Sequence, residues 1–108
     1  MASVTVAAPV FAALGDATRL ALVARLCTGG PASIARLTEG AGVSRQAVTK
    51  HLQALANARL VTGARRGRER VWALEPHRLD AARICLDQIS DHWDAALVRL
   101  KAHVEVER

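Results

Sequence analysis

The sequence predicts a mainly α-helical domain with one small β-hairpin: four helices, the hairpin, then a long closing helix. Three observations carry this expectation. Apolar residues recur every three or four positions over most of the chain, which is the helical period. Asp16, Ser33 and Ser44 each stand just before such a run, where a short oxygen-bearing side chain caps free backbone N–H groups. Around Gly67, in LVTGARRGRERVWALE, the pattern changes to two short strands about a glycine turn.

The bulk properties set the limits. With 108 residues the chain is read as a single domain, 1–108, because domains of roughly 100–150 residues are the common size. Apolar residues make up 51% and aromatic ones 3%, so the core must come from Leu, Val, Ile and Ala, as in packed helices. The net charge is +5, a balance that directs such a domain toward nucleic acid, an anionic surface or an acidic partner. Two cysteines do not make a disulfide framework and fit a reducing cytoplasm. The opening MASVTVAAPVFAALGDATR lacks a basic leader, and Asp16 and Arg19 interrupt it too soon for a membrane span of about 20 residues. The expected setting is cytoplasmic, with no membrane partner.

In order along the chain, a short first helix is expected over Pro9 to Leu14, broken at Gly15-Asp16. Asp16 caps a second helix to about Thr28, with Leu20, Val23 and Cys27 on one side and Leu22 and Leu26 beside them. So wide a band implies a mostly buried helix. Gly29-Gly30-Pro31 ends it, and Ser33 caps a short third helix carrying Ile34 and Leu37. Gly40-Ala41-Gly42-Val43 makes a tight turn before Ser44 caps the fourth. There Val48, Leu52 and Leu55 form one apolar stripe at i, i+4 and i+7, which turns Arg45, Gln46, Thr49 and Lys50 toward solvent.

Two capped helices joined by a glycine turn and locked by Val and Leu form a helix-turn-helix, here about 33–58. Such a unit lays its second helix in the DNA major groove, the N-terminal residues meeting base edges. Arg offers a forked donor to guanine, Gln pairs with adenine, and the Thr methyl meets thymine. The capped end also presents backbone N–H groups to a phosphate. The hairpin that follows, about 60–75, crowds Arg65, Arg66, Arg68 and Arg70 at its tip with Glu69 among them. A basic hairpin behind a recognition helix reads as the wing of a winged helix-turn-helix, reaching phosphates or a minor groove.

From Pro76 a long helix is expected to about Val104, with Leu79, Ala82, Leu86, Ile89, Trp93, Leu97, Leu100 and Val104 in one stripe about 37 Å long at 1.5 Å per residue. That exceeds what the small domain needs for its own core. A homodimer through this helix and the first is expected, with Leu86, Ile89, Trp93, Leu97 and Leu100 at the interface, and a two-fold dimer favours a palindromic operator.

FAALGDATRLALVARL, GVSRQAVTKHLQALANARLV and RRGRERVWALEP together resemble the ArsR/SmtB family of winged-helix repressors, over about residues 10 to 104. The resemblance implies a dimeric bacterial repressor that binds a double-stranded operator and releases it on sensing a metal ion or another inducer. By position, Ser44, Arg45, Gln46, Thr49, Lys50 and His51 match the recognition helix, and Arg66, Arg68 and Arg70 the wing. Thr38 departs from the alanine usual in such units.

The sensing motifs do not match. The helix that carries Cys-x-Cys in metal-binding members reads SIARLTEGA. The second family pattern finds His92 and His103, but Ser90 and Val106 replace its other ligands, so two ligands stand where tetrahedral zinc wants four. Cys27 and Cys85 lie on the two helices that hold redox thiols in some relatives, though in a different register, and Cys27 falls on an apolar face where an inert buried thiol is expected. The segments resemble most a branch without an evident ligand site, so no metal and no cofactor is expected and the inducer is unassigned. Metal- or redox-responsive repression through His92/His103 or Cys27/Cys85 stands as the alternative.

No nucleophile elbow, phosphate-cradling glycine loop or paired carboxylate supports an enzyme. A winged helix used for protein docking would carry an apolar or acidic face, and this one is neither. Single-stranded RNA would want stacking aromatics, which are missing.

Overall fold

The protein is described by a computed structural model that covers residues 4–106. The order is α1 (Val4–Leu14), α2 (Ala17–Gly29), β1 (Ala32–Ser33), α3 (Ile34–Thr38), α4 (Arg45–Asn57), β2 (Val61–Arg66), β3 (Glu69–Leu74) and α5 (Asp80–Val106). The fold is mainly helical with a small antiparallel sheet and a long last helix, as expected. The ends of the expected 1–108 domain, residues 1–3 and 107–108, lie outside the described residues.

The capping expectations hold atom by atom. Oδ2 of Asp16 accepts from the Arg19 N–H at 3.0 Å, Oγ of Ser33 from Arg36 at 3.2 Å, and Oγ of Ser44 from Ala47 at 3.1 Å. Each satisfies one of the N–H groups that a helix start leaves without a partner. Gly40 and Gly42 sit at φ 72° and 73° in the turn between α3 and α4, where a side chain would be strained. Thr38 fits because its hydroxyl donates back to the Ile34 carbonyl at 2.7 Å.

The core fills the space between α1, α2, α4 and the inner face of the sheet. Val48, Leu52 and Leu55 of α4 are completely buried, beside Val10, Leu22, Leu37, Leu60, Val61 and Trp72. Among the described residues no polar or charged residue is buried.

Several expectations need correction. The first helix does not begin at Pro9. It begins at Val4 and carries Pro9 inside, because complete burial of Ala7 and Val10 outweighs the backbone hydrogen bond that proline forfeits. On α2 the buried face is Leu22, Val23 and Leu26, whereas Leu20 is 53% exposed and Cys27 is exposed, not buried. The band was wider than the contact, and tertiary packing chose one side of it. The sheet has a third strand, β1, whose Ala32 and Ser33 pair with Trp72 and Val71 of β3. The last helix starts at Asp80 instead of at Pro76, because His77 adopts φ 65° and Arg78 donates to the Ala58 carbonyl at 2.8 Å.

Arg25 of α2 holds the helix-turn-helix together. Its guanidinium donates to the carbonyls of Leu37, Glu39 and Arg36 at 2.7, 2.8 and 2.8 Å. These groups close the C-terminal end of α3, which a five-residue helix cannot satisfy alone. Arg25→Ala is expected to cost about 2 kcal/mol, the scale of charge-assisted bonds that stay partly solvated. In thermal unfolding followed by circular dichroism that is a fall of roughly 10 °C; an unchanged midpoint would show the clamp to be idle.

α5 packs on α1 only near its start, where Ala82 and Cys85 are buried. Residues 86–106 are exposed throughout, and the molecule extends 67 × 29 × 21 Å. Its radius of gyration is 18.5 Å, against about 13 Å for a compact domain of this length. Among the described residues no single helix is long and apolar enough to cross a membrane.

Candidate nucleic-acid interface

α4 and the β2–β3 hairpin stand side by side and present the basic side of the molecule. Since Val48, Leu52 and Leu55 anchor α4 inward, helical geometry sends Arg45, Gln46 and Lys50 outward, and all three are exposed. No acidic residue lies on this helix. Thr49 is half-buried, and its hydroxyl donates to the Arg45 carbonyl at 2.9 Å. The hydroxyl proton is thereby used, and the methyl remains for an apolar contact. Gln53, not among the expected contact residues, is exposed one and two turns along from Thr49 and Gln46 on the same side, and its i+4 and i+7 spacing is the sequence signal that places it there.

His51 lies apart from the other expected residues of α4. Its side chain is 23% exposed, and its Nδ1 lies 3.4 Å from Nη1 of Arg19 and 3.8 Å from Oδ2 of Asp16. It therefore faces the start of α2, away from Arg45, Gln46 and Lys50, and fixes how α4 sits on α2. The Asp16 carboxyl is held below its ordinary pKa chiefly by the backbone hydrogen bond from Arg19, with His51 and Arg19 charges adding to it and desolvation opposing. The Arg19 Nε also donates to the Ala13 carbonyl at 2.6 Å, so this cluster joins the ends of α1, α2 and α4.

In the wing, Gly67 takes φ 62° at the first central position of a two-residue turn. Register then decides what each arginine can do. Directly opposed residues share a face in an antiparallel pair, and the pairs are Val61 with Leu74, Gly63 with Trp72, Arg65 with Arg70, and Arg66 with Glu69. Arg65 and Arg70 thus lie on the face of buried Trp72, while Arg66 lies on the other, across from Glu69. Arg65, absent from the expected contact set, borders a hollow of about 390 Å³ with Gly63, Arg68 and Arg70. A cleft of about 290 Å³ joins the wing to the helices, lined by Arg45, Thr49, Arg68, Arg70, Glu69 and the start of α3. The period-two alternation from Trp72 and Val61 would have separated Arg65 from Arg66 in the sequence.

The expected interface residues Leu86, Ile89, Trp93, Leu97 and Leu100 are 53, 37, 63, 50 and 57% exposed along one side of α5. An apolar hollow lined by Phe11, Leu14, Leu79, Ala82 and Leu86 continues this surface onto α1. His92 and His103 both lie on the exposed part of α5, and among the described residues no group of three or more His, Cys, Asp or Glu could hold a metal ion. Cys85 is buried and Cys27 exposed, and both are free thiols.

Comparison with known proteins agrees with this geometry. A helix-turn-helix domain family matches residues 14–64. The chain is 44% identical over 85 residues to the HTH-type transcriptional regulator Rv2034 of Mycobacterium tuberculosis, covering 79% of this chain and 76% of that one. Among solved structures, an ArsR-like transcriptional regulator from Rhodococcus is similar at 34% identity, with 94% of each chain covered and a TM-score of 0.73. The homodimeric winged helix-turn-helix DNA-binding domain of Mb0332 from Mycobacterium bovis, a possible ArsR-family regulator, is similar at 25% identity, covering 84% of this chain and 82% of that one, with a TM-score of 0.64.

Proposed function

The chain belongs to the ArsR family of winged helix-turn-helix transcriptional regulators, and we propose from that premise that it is a homodimeric repressor reading a palindromic operator. The observation that carries the proposal is the exposed Arg45–Gln46–Lys50 face of α4, free of acidic residues and flush with an arginine-bearing wing. In this reading α4 enters the major groove, where Arg45 offers guanine a bidentate donor, Gln46 pairs with adenine and the Thr49 methyl meets a thymine. Lys50 and the backbone N–H groups at the Ser44 end hold phosphates, which fix register without reading sequence. Arg66, Arg68 and Arg70 add phosphate contacts from the wing. His51 supports the helix from behind.

The homodimer is supported by the bare apolar side of α5 and by the homodimeric Mycobacterium bovis relative. Two-fold symmetry would bring two copies of α4 to half-sites one helical turn apart, roughly 34–36 Å. The wing, the two helices of the helix-turn-helix unit and α5 work in this reading as one domain.

The test is fluorescence anisotropy of a labelled duplex from upstream of the protein's own gene, against a scrambled duplex, with reduced, metal-stripped protein at about 150 mM salt. Specific binding at least 10³-fold tighter than to the scrambled duplex is expected, and Zn²⁺ added to the complex is expected to leave it bound. Equal affinity for the two duplexes, together with failure to enrich any site from a randomised pool, would overturn the reading. Release by Zn²⁺ would instead assign His92 and His103 a sensing role.

A further inference from the structure

Arg70 is exposed at the turn end of β3, yet its long side chain folds back over a neighbouring ring. Its guanidinium carbon is 5.0 Å from the centroid of the Trp72 ring, within the roughly 6 Å at which a cation is drawn to an aromatic face. Gly63, directly across the strands from Trp72, makes the room. A Cβ at Gly63 would stand 2.8 Å from Nε of Arg70 and 3.1 and 3.2 Å from two carbons of the Trp72 ring. The backbone does not ask for glycine here, because Gly63 is not among the positive-φ residues and sits in a regular strand. Glycine inside a strand weakens it and often marks a close approach; at this position the approaching group is Arg70.

The place to which Arg70 is held is short of negative charge. Arg65 stands directly opposite it, an unfavourable cross-strand pairing, Arg68 borders both hollows that Arg70 borders, and Arg45 borders one of them. Glu69 borders the cleft as well, but among the described residues none of Arg45, Arg65, Arg68 and Arg70 forms an ion pair with a carboxylate. Trp72 is 2% exposed, and its Nε1 is buried without a hydrogen-bond partner among the described residues. An indole there carries a cost that a purely apolar ring would avoid, and it offers bulk to the core and a large π-face to a cation.

We propose that Gly63 and Trp72 are positioning residues that hold the Arg70 guanidinium at the cleft between α4 and the wing, where with Arg68 it binds a DNA backbone phosphate. The inference rests on the DNA-binding reading and deepens it. A stacked guanidinium surrenders little freedom on binding, whereas an unstacked one must first be ordered.

The experiment is the salt dependence of duplex affinity for the unaltered protein, Gly63→Ala, Arg70→Ala, the double variant and Arg70→Lys. Each phosphate contact contributes about 0.9 to the slope of log affinity against log salt, so Arg70→Ala in a dimer should flatten it by about 2. Gly63→Ala should flatten it as much while removing no charge, and should add nothing in the Arg70→Ala background. A role confined to strand packing would instead lower affinity additively in the double variant. Arg70→Lys alters an exposed residue and keeps the charge; it should bind at least tenfold more weakly, since an ammonium has no plane to stack on the ring. If Gly63→Ala does not unfold cooperatively, Arg70→Lys decides alone. Unaltered slopes and affinities in Gly63→Ala and Arg70→Lys would overturn the inference alone. Absence of salt-dependent duplex binding by the unaltered protein would overturn the DNA reading and the inference with it.

Discussion

Replacing Arg45 and Gln46 together by Ala is expected to abolish the distinction between operator and scrambled duplex. Each good bidentate contact to a base edge discriminates by about 1–3 kcal/mol. Two such residues on each of two protomers give four contacts, so roughly 10³-fold or more of specific affinity should vanish, at 1.4 kcal/mol per tenfold. Affinity for the scrambled duplex should fall far less, by what one lost positive charge per protomer takes away. The fold should be indifferent, because both side chains are exposed and alanine favours the helix. Anisotropy titration beside thermal unfolding separates these outcomes. A doubly substituted protein that keeps full preference for the operator would remove α4 from base reading.

Leu97→Glu is expected to convert the protein to a monomer. Leu86, Ile89, Trp93, Leu97, Leu100 and Val104 are each about half exposed on one side of α5. Completing their burial yields about 1 kcal/mol apiece, so on the order of 10 kcal/mol for two protomers. Association itself costs about 4–15 kcal/mol, so the margin is narrow even with the apolar surface of α1 added. Symmetry doubles every substitution. Losing Leu97 twice and burying a carboxylate twice should cost more than about 5 kcal/mol, raising the dimer Kd at least 10³-fold. Glu keeps helix propensity, and α5 beyond residue 86 touches little else, so the domain should still unfold cooperatively. Sedimentation equilibrium at micromolar concentration reads the result. Operator affinity should fall with it, since two tethered half-sites become separate binding events. A persistent dimer would place the interface elsewhere.

Much of this protein is legible in its sequence alone. Asp16, Ser33 and Ser44 each accept the N–H three residues on, as local chemistry demands, and Val48, Leu52 and Leu55 are completely buried as their spacing requires. The hairpin turns at Gly67, where φ is 62°. What sequence left open involves distant partners. His51 matched a recognition-helix position, yet its ring meets Asp16 and Arg19 more than thirty residues away. Arg25 looked like any helical arginine until α3 ended against it.

The sequence by itself determined the caps, the turns, the apolar stripes and the basic hairpin, because each follows from interactions within a few residues. Only the tertiary structure decided which side of the wide apolar band on α2 is buried, that α1 runs through Pro9, and that Ala32 and Ser33 form a strand on the free edge of β3. It also decided that Arg65 shares a face with Trp72 while Arg66 does not, and that Gly63 clears space for Arg70. Local chemistry proposes more contacts than one packed core can hold. Burial, shared among all the elements at once, selects which of them are made.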